Sequence, residues 1–345
     1  MENFFIVFIL SVFVNFLMIF VYRNKIFKNY KSQVQDTHHG NIPRTGGLII
    51  LTLFTIFGLI NKSIQINIIL IGLFFLIPAF LDDFRLKINP LIRLSLTIIA
   101  CFFVIKQIEI LPIFEMGYLN IIFNNYNFKL IFFTIALTGL INGSNMIDGT
   151  NGLCGITFLF IFIGILIVGF FIKDTYLIHN SFLMIILLIS FLLLNYPFGK
   201  IFLGDFGSYF LGFYSGYLII DTFGRNPDLA SWSAAVLLFY PTFEVLFSFT
   251  RKVISKKSPF QPDRKHLHLK LFFILSRGKL IDRPSNALVM PLLSIIWQLP
   301  LALFVISLIF GKYSFFLLLS LTAAYLCLYY ILSRHTFEKQ VNNTK

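Results

Sequence analysis

One polar stretch, residues 138–155 (T-G-L-I-N-G-S-N-M-I-D-G-T-N-G-L-C-G), joins two long apolar segments of the chain. It carries Asn142, Asn145, Asp148 and Asn151 at intervals of three, with glycines between them. Spacing by three places polar side chains on one face of a helix end, and glycine lets the backbone approach a ligand closely. A carboxylate and three amides are costly in apolar surroundings, so they indicate a binding site. A helix cap followed by a polar turn is the alternative.

Other acidic positions are suited to holding a cation or moving a proton. Asp82 and Asp83 end an apolar run, and a helix C-terminus disfavours anions unless a cation or a proton-transfer role compensates. In G-D-F-G-S, Asp205 stands between glycines at the predicted start of a helix, whose amides favour phosphate. A single aspartate also suits Mg²⁺, which takes few protein ligands together with phosphate oxygens. The alternatives are solvated acids for the pair and a simple N-cap for Asp205.

The longest polar loop contains S-P-F-Q-P-D-R-K-H-L-H-L-K at residues 258–270. His266 and His268 are too few ligands for a zinc site. With Arg264 and Lys265 they are suited to bind a diphosphate, although a basic loop facing the membrane is the alternative. Acids for a metal together with Arg, Lys and His for phosphate indicate phosphoryl transfer, which depends mainly on positioning and charge neutralisation.

The elements that carry these residues are membrane helices. The chain has 345 residues, of which 57% are hydrophobic and only 12% charged. Long apolar runs of this kind are typical of membrane spans. The net charge of +13 could suggest nucleic acid, but the positive residues lie mostly in loops, where they set orientation in the membrane. The sequence therefore predicts an all-α polytopic integral membrane protein that does not bind nucleic acid.

Eleven transmembrane helices are predicted, at 4–22, 48–60, 66–81, 93–114, from 130 to the polar stretch, 156–172, 177–194, from 208 to 220, 230–250, 286–310 and 313–332. Lys and Arg concentrate in alternate loops, which predicts the N-terminus outside and the C-terminus in the cytoplasm. Every polar cluster, including H-H-G-N-I-P-R-T-G-G at 38–47, then lies on the cytoplasmic face. Residues 1–345 are expected to form a single transmembrane catalytic domain whose site is built from cytoplasmic loops.

In these motifs the chain resembles the polytopic polyprenyl-phosphate N-acetylhexosamine-1-phosphate transferases, glycosyltransferase family 4. The likeness covers P-R-T-G-G, L-D-D, N-G-S-N-M-I-D-G-T-N-G-L, F-L-G-D-F-G-S and D-R-K-H-L-H, in family order. A short loop with one H-x-H looks more like the glycan-initiating N-acetylglucosamine (GlcNAc) branch than the peptidoglycan branch. The resemblance implies that a polyprenyl phosphate attacks the sugar-linked phosphorus of a UDP-sugar and that UMP is released. UDP-GlcNAc is the default sugar donor, and a related N-acetylhexosamine such as N-acetylfucosamine or N-acetylquinovosamine is the alternative. It also implies Mg²⁺, with Mn²⁺ as a substitute, and a site on the cytoplasmic face of a bacterial inner membrane.

The resemblance also assigns roles to residues. Asp205 resembles the metal ligand, and Asp82 and Asp83 resemble the pair that positions or deprotonates the lipid phosphate. Asp148 and Asn145 resemble nucleotide-sugar contacts. The histidines resemble the motif near the diphosphate, and the remaining substrate-binding candidates are Arg44, Asn142, Asn151 and Arg264. Two departures stand out: Asn151 replaces an aspartate found in many relatives, and Arg85 and Leu86 lie where an acid is expected.

Other functions are open. A transporter of nucleotide sugars or lipid-linked sugars would have its site near the bilayer midplane, whereas these acids lie at one face. Glu244 is the one acid of interest that is predicted to lie within the membrane. From the rise per residue of a helix, it is roughly 10 Å from the membrane surface. It either pairs with a cation near the site or supports packing. Peptidoglycan phospho-MurNAc-pentapeptide transferase activity is a third alternative. The expected partners are the UDP-sugar, the polyprenyl phosphate and the membrane, with a homodimer as a candidate assembly.

Overall fold

The computed structural model describes residues 2–23, 42–62, 65–83, 88–114, 120–258, 263–279 and 282–342. Residues 38–41 of the first polar cluster, Arg85 and Leu86, and residues 259–262 of the longest polar loop lie outside these ranges. Within them the regular structure is helical throughout. The helices are α1 (Glu2–Arg23), α2 (Gly46–Ile60), α3 (Ile66–Asp83), α4 (Pro90–Gln107), α5 (Asn120–Phe123), α6 (Tyr126–Met146), α7 (Leu153–Ile172), α8 (Thr175–Asn195), α9 (Gly204–Arg225), α10 (Ser231–Leu237), α11 (Phe239–Ile254), α12 (Leu267–Leu275), α13 (Arg283–Leu292), α14 (Ile295–Ile309) and α15 (Ser314–Asn342).

Each predicted span falls on one helix or on two consecutive helices. Over the described residues, six helical segments are long and apolar enough to cross a membrane, and two bent pairs raise this number to eight. The prediction of an all-α polytopic membrane protein is confirmed, while the number of eleven spans and their orientation stay predictions. One bent pair, α10 with α11, turns by 80° within the predicted span 230–250. A further helix, α12, lies inside the predicted loop and carries His268.

Local signals explain some helix boundaries that differ from the prediction. Helix α4 begins at Pro90 rather than at Arg93, because the Asn89 side chain accepts a hydrogen bond from the amide of Leu91 at 2.9 Å. Asparagine at the N-cap and proline at the first helical position are a strong start signal. The helix ends at Gln107, seven residues before the predicted end of the span. Arg93 therefore lies in the first turn of α4 rather than before it.

Helix α9 is the centre of the bundle, where it packs against α2, α3 and α6. Its approach to α2 depends on glycine, since a methyl group added to Gly47 would lie 2.0 Å from the Cα of Gly207. Just before both helices the backbones are hydrogen-bonded, with the Gly46 amide donating to the Phe202 carbonyl at 3.0 Å. This pairing fixes Arg44 beside the first residue of α9.

Helix α6 is joined to α9 by the Ser144 hydroxyl, which donates to the Ser208 carbonyl at 2.6 Å. It also closely approaches α11, because a methyl group on Gly143 would lie 2.1 Å from the Pro241 carbonyl oxygen. These packings bring together the starts of α2, α4 and α9 and the ends of α3 and α6. Four of the predicted polar clusters, together with Arg93, thus meet at one end of the bundle.

Candidate active site

A guanidinium joins two of the predicted acids. The same Nη1 atom of Arg93 lies 2.8 Å from Asp82 Oδ2 and 3.1 Å from Asp205 Oδ2. The Arg93 guanidinium also lies 5.4 Å from the centroid of the Tyr209 ring, in cation–π contact. All three charged side chains keep some exposure, between 17% and 29%. The end of α3 and the start of α9 are therefore connected through a cation from α4.

Asp83 has a different environment from its neighbour. Its Oδ1 accepts a hydrogen bond from the Asp205 amide and its Oδ2 from the Phe206 amide, both at 3.0 Å. Asp83 is buried. From the end of α3 its carboxylate caps the start of α9, because it accepts hydrogen bonds from amides that have no partner within that helix. The amides that the sequence suggested for phosphate are thus occupied by a carboxylate. Gly204, whose φ is +80°, provides the space for this carboxylate, because a methyl group at Gly204 would lie 2.6 Å from Asp83 Oδ2.

The polar stretch after α6 faces the same place. Asp148 is half-buried in the turn between α6 and α7. Burial raises its pKa well above the usual range; the negative charge of Asp205 adds to this rise, and Arg44 opposes it. Asn145 Oδ1 accepts a hydrogen bond from the Ser208 hydroxyl at 3.3 Å. Asp148, Asn145 and Arg44 thus surround the start of α9, as the shared-site prediction requires.

Asn142 and Asn151 lie on either side of this centre. Asn142 Oδ1 accepts from the Tyr209 hydroxyl at 3.3 Å. Asn151 is buried; its side-chain amide donates to the Pro197 carbonyl at 3.1 Å, and its backbone amide donates to Asn286 Oδ1 at 2.8 Å. Asn151 therefore ties the turn to the loop before α9. The substrate-binding roles predicted for both asparagines stay predictions.

The two histidines form a stacked pair at the start of α12. Their rings are 5.9 Å apart and 8° from parallel. His266 Nδ1 lies 2.9 Å from Glu244 Oε1, and the Tyr325 hydroxyl donates to Glu244 Oε2 at 2.6 Å. Of the two readings of Glu244, pairing with a group near the site agrees with this geometry.

His268 connects the histidine pair with the acidic cluster. A methyl group added to Gly149, the residue after Asp148, would lie only 2.4 Å from His268 Nε2. His268 is fully buried, and among the described residues neither of its ring nitrogens has a hydrogen-bond partner. Burial lowers the pKa of His268 to about 3, so the ring is neutral at physiological pH. A buried imidazole with unused nitrogens beside Gly149 is suited to meet a polar ligand group.

The segment before the histidines is anchored by charge. Asp263 Oδ2 lies 2.7 Å from Arg251 Nη2, and Asp263 Oδ1 accepts from the Lys265 amide at 2.8 Å. Arg264 lies between Asp263 and Lys265 in the sequence and is half-buried. It is therefore held within the same turn. The structure thus places Arg264 next to the histidine pair, while its contact with a substrate stays a prediction.

The predicted metal site can be tested against the donors present. No group of three or more His, Cys, Asp or Glu side chains suited to a metal occurs in the described part of the chain. Mg²⁺ requires fewer, since it commonly takes one or two carboxylates and completes its shell with phosphate oxygens and water. Asp82 and Asp205 are close enough to share the Arg93 cation. Their oxygens therefore fit a hard cation bound together with a phosphate.

Three residues of this site are missing from the sequence-based set: Arg93, Tyr209 and Tyr325. Arg93 carried a signal, because a charge within a membrane helix usually marks a functional site, and it follows the acid pair by one short loop. Tyr209 and Tyr325 carried no such signal in the sequence, because their contacts arise only from packing between helices that are far apart in the chain.

The comparisons with known proteins agree with the motifs. The glycosyl transferase family 4 model matches residues 64–223, which include every predicted aspartate but neither histidine. The chain is 36% identical over 138 residues to a Thermotoga maritima undecaprenyl-phosphate alpha-N-acetylglucosaminyl 1-phosphate transferase, covering 40% of this chain and 41% of that protein.

Longer matches occur at lower identity. The Escherichia coli K12 protein of the same name is 27% identical over 250 residues, which covers 69% of this chain and 67% of the relative. A probable undecaprenyl-phosphate N-acetylglucosaminyl 1-phosphate transferase of Bacillus subtilis is 26% identical over 253 residues, with the same coverage. The match to the glycosyl transferase family 4 model agrees with the resemblance that the motifs indicate, and these relatives are named as N-acetylglucosaminyl 1-phosphate transferases.

Proposed function

We propose that this protein transfers GlcNAc-1-phosphate from UDP-GlcNAc to undecaprenyl phosphate and releases UMP. The observation that carries the proposal is the Arg93 guanidinium shared by Asp82 and Asp205, beside Asp148 and Arg44. Carboxylates and cations gathered at one end of a helical bundle are suited to bind a metal–diphosphate and a lipid phosphate together. The names of the relatives supply the sugar and the lipid.

In the proposed reaction, an oxygen of the lipid phosphate forms a bond to the sugar-linked phosphorus. The bond between that phosphorus and the oxygen bridging to the uridine-linked phosphate breaks, and UMP leaves with the electron pair. The products are undecaprenyl-diphospho-GlcNAc and UMP. Because negative charge moves onto the leaving UMP, groups that donate hydrogen bonds to the diphosphate accelerate the step.

The chain's own residues divide this work. Arg93 and Arg44 supply positive charge for the two phosphate groups, and Asp83 holds the start of α9, and so Asp205, in place. Asn145 and Asp148 line the nucleotide-sugar side, and the histidine pair with Arg264 meets the diphosphate. Mg²⁺, held by Asp205 with Asp82 and replaceable by Mn²⁺, would supply charge neutralisation when bound.

The proposal extends to topology. With eleven spans and the N-terminus outside, this end of the bundle would lie at the cytoplasmic face of a bacterial inner membrane, on the side of the soluble UDP-GlcNAc. The product would start a lipid-linked envelope glycan, such as a lipopolysaccharide O-antigen.

UMP release by purified protein tests the activity. We expect UMP from UDP-GlcNAc only when undecaprenyl phosphate and Mg²⁺ are both present. UDP-MurNAc-pentapeptide is the control for the peptidoglycan reaction and should give none. Transport of UDP-GlcNAc into vesicles without UMP release would refute the proposal and favour a transporter.

A second set of variants separates a diphosphate site from a membrane-facing basic loop. His268→Ala and Arg264→Ala should each lower kcat/KM at least tenfold, about 1.4 kcal/mol of transition-state stabilisation. Lys256→Ala and Lys257→Ala are matched controls, exposed on the same loop, and should change it less than twofold. Equal small losses at all four positions, relieved by added anionic lipid, would indicate membrane anchoring instead.

A further inference from the structure

Glu244 is a carboxylate surrounded by hydrogen-bond donors inside the bundle. It is 1% exposed, and its Oε1 faces His266 Nδ1 at 2.9 Å and the Leu267 amide at 3.4 Å. Its Oε2 accepts from the Tyr325 hydroxyl at 2.6 Å. An ionised carboxylate only accepts hydrogen bonds, so the proton between Glu244 and His266 lies on Nδ1 of the imidazole.

A second layer of contacts fixes this arrangement from α15. The Tyr325 ring meets Phe243 edge-on at 4.9 Å and Phe247 at 5.6 Å between centroids, which directs its hydroxyl towards Glu244. One turn later in α15, the Tyr329 hydroxyl donates to the Lys265 carbonyl at 3.2 Å. Helix α15 therefore holds both Lys265 and, through Glu244, His266.

The charge of Glu244 also distinguishes the two histidines. A buried carboxylate is costly unless an opposite charge lies close to it. In the described part of the chain, His266 is the basic group within ion-pair distance of Glu244. His268, by contrast, has no hydrogen-bond partner there and stacks on His266. Of the two rings, His266 is thus the one held by a carboxylate.

We propose that Glu244, supported by Tyr325, is a positioning residue that acts through His266. It fixes the orientation of the His266 ring and holds its proton on Nδ1, so that Nε2 is the nitrogen turned towards the nucleotide sugar. The inference rests on the proposed transferase function and adds residues outside the motif-bearing loops. A role in packing alone is the competing explanation, and the experiments below separate the two.

Steady-state kinetics test the first part. Glu244→Gln keeps the shape of the side chain but removes its charge, and we expect kcat to fall at least tenfold while KM for UDP-GlcNAc changes less than threefold. Tyr325→Phe, which leaves the carboxylate in place, should lower kcat about threefold. Glu109→Gln and Tyr330→Phe, at exposed positions, are the matched controls and should match the wild type.

A double-mutant cycle tests whether Glu244 acts through the histidine. In the His266→Ala background, Glu244→Gln should cost less than a further twofold in kcat, because the group it positions is gone. The same tenfold loss in both backgrounds would mean that Glu244 only supports packing and would overturn the proposal. Near-wild-type kcat in Glu244→Gln would overturn it as well.

The protonation of His266 gives a readout that does not need turnover. In ¹⁵N-histidine NMR spectra, with the signal identified through His266→Ala, we expect His266 to be protonated on Nδ1 in the wild type. In Glu244→Gln we expect a mixture of the two tautomers instead. If Glu244→Gln does not fold, the same measurement is made on Tyr325→Phe. An unchanged His266 signal refutes the positioning role, whereas absence of UMP release by the wild type refutes only the transferase function.

Discussion

Gly149→Ala is the sharpest test of the contact between the histidine pair and the acidic cluster. The new methyl group would lie 2.4 Å from His268 Nε2 and 3.0 Å from its Cδ2. The backbone of Gly149 does not have a positive φ, so the substitution acts through space rather than through backbone strain. His268 is fully buried, so its ring cannot move away into solvent.

The geometry sets the size of the effect. Ordinary contact begins at about 3.4 Å, so the imidazole and the turn must separate by roughly 1 Å, and overpacking of this kind typically costs ~1–3 kcal/mol. A displacement of about 1 Å at a reacting centre can lower the rate by roughly two orders of magnitude. We therefore expect Gly149→Ala to lower both the melting temperature and kcat.

The experiment needs a control substitution at another glycine and a second variant that removes the predicted clash. Gly139, inside α6, has no neighbouring atom within 4 Å of an added methyl group, so Gly139→Ala should stabilise the protein by ~0.5–1 kcal/mol. Melting curves in detergent and UMP release are measured for both variants. In the His268→Ala background, Gly149→Ala should no longer lower the melting temperature. A wild-type melting temperature and kcat for Gly149→Ala, or the same loss in the His268→Ala background, would refute the predicted contact.

Three further predictions concern the metal, pH and topology. Asp205→Asn should abolish Mg²⁺-dependent UMP release, because an amide is a poor Mg²⁺ ligand; near-normal release would assign the metal to another residue. Because the pKa of His268 is about 3 when folded and ~6.5 when unfolded, only the unfolded chain takes up this proton between those values. Lowering the pH from about 7 to about 5 should then destabilise the fold by on the order of 2 kcal/mol, and His268→Gln should flatten this dependence in melting curves. A cysteine at Ser258 should be labelled only from the cytoplasmic side and one at Asn124 only from outside; labelling of both from one side would exclude the eleven-span topology.

The sequence by itself determined the class of protein and the approximate positions of most of its long helices. Its apolar runs are long enough, and its charges few enough, that no other fold class was available. The predicted acids also lie where local patterns place them: Asp82 and Asp83 end α3, and Asp205 is in the first turn of α9. The motifs sufficed to indicate the family, because they combine residue type, spacing and order along the chain.

Only the tertiary structure decided which groups each acid contacts. Asp82 and Asp83 are adjacent in sequence, yet one shares Arg93 with Asp205 and the other caps α9. Successive residues on a helix point in directions about 100° apart, so adjacent carboxylates reach different neighbours. Which neighbours they meet depends on the crossing of α3, α4 and α9, which periodicity does not encode.

The histidine pair shows the same limit more strongly. His266 and His268 look equivalent in the H-x-H motif, but Glu244 and Tyr325 give His266 a carboxylate partner, while His268 is buried against Gly149. Those partners come from three separate parts of the chain. Protonation depends on the burial and charge of the immediate surroundings, and these exist only once α6, α11, α12 and α15 have packed together.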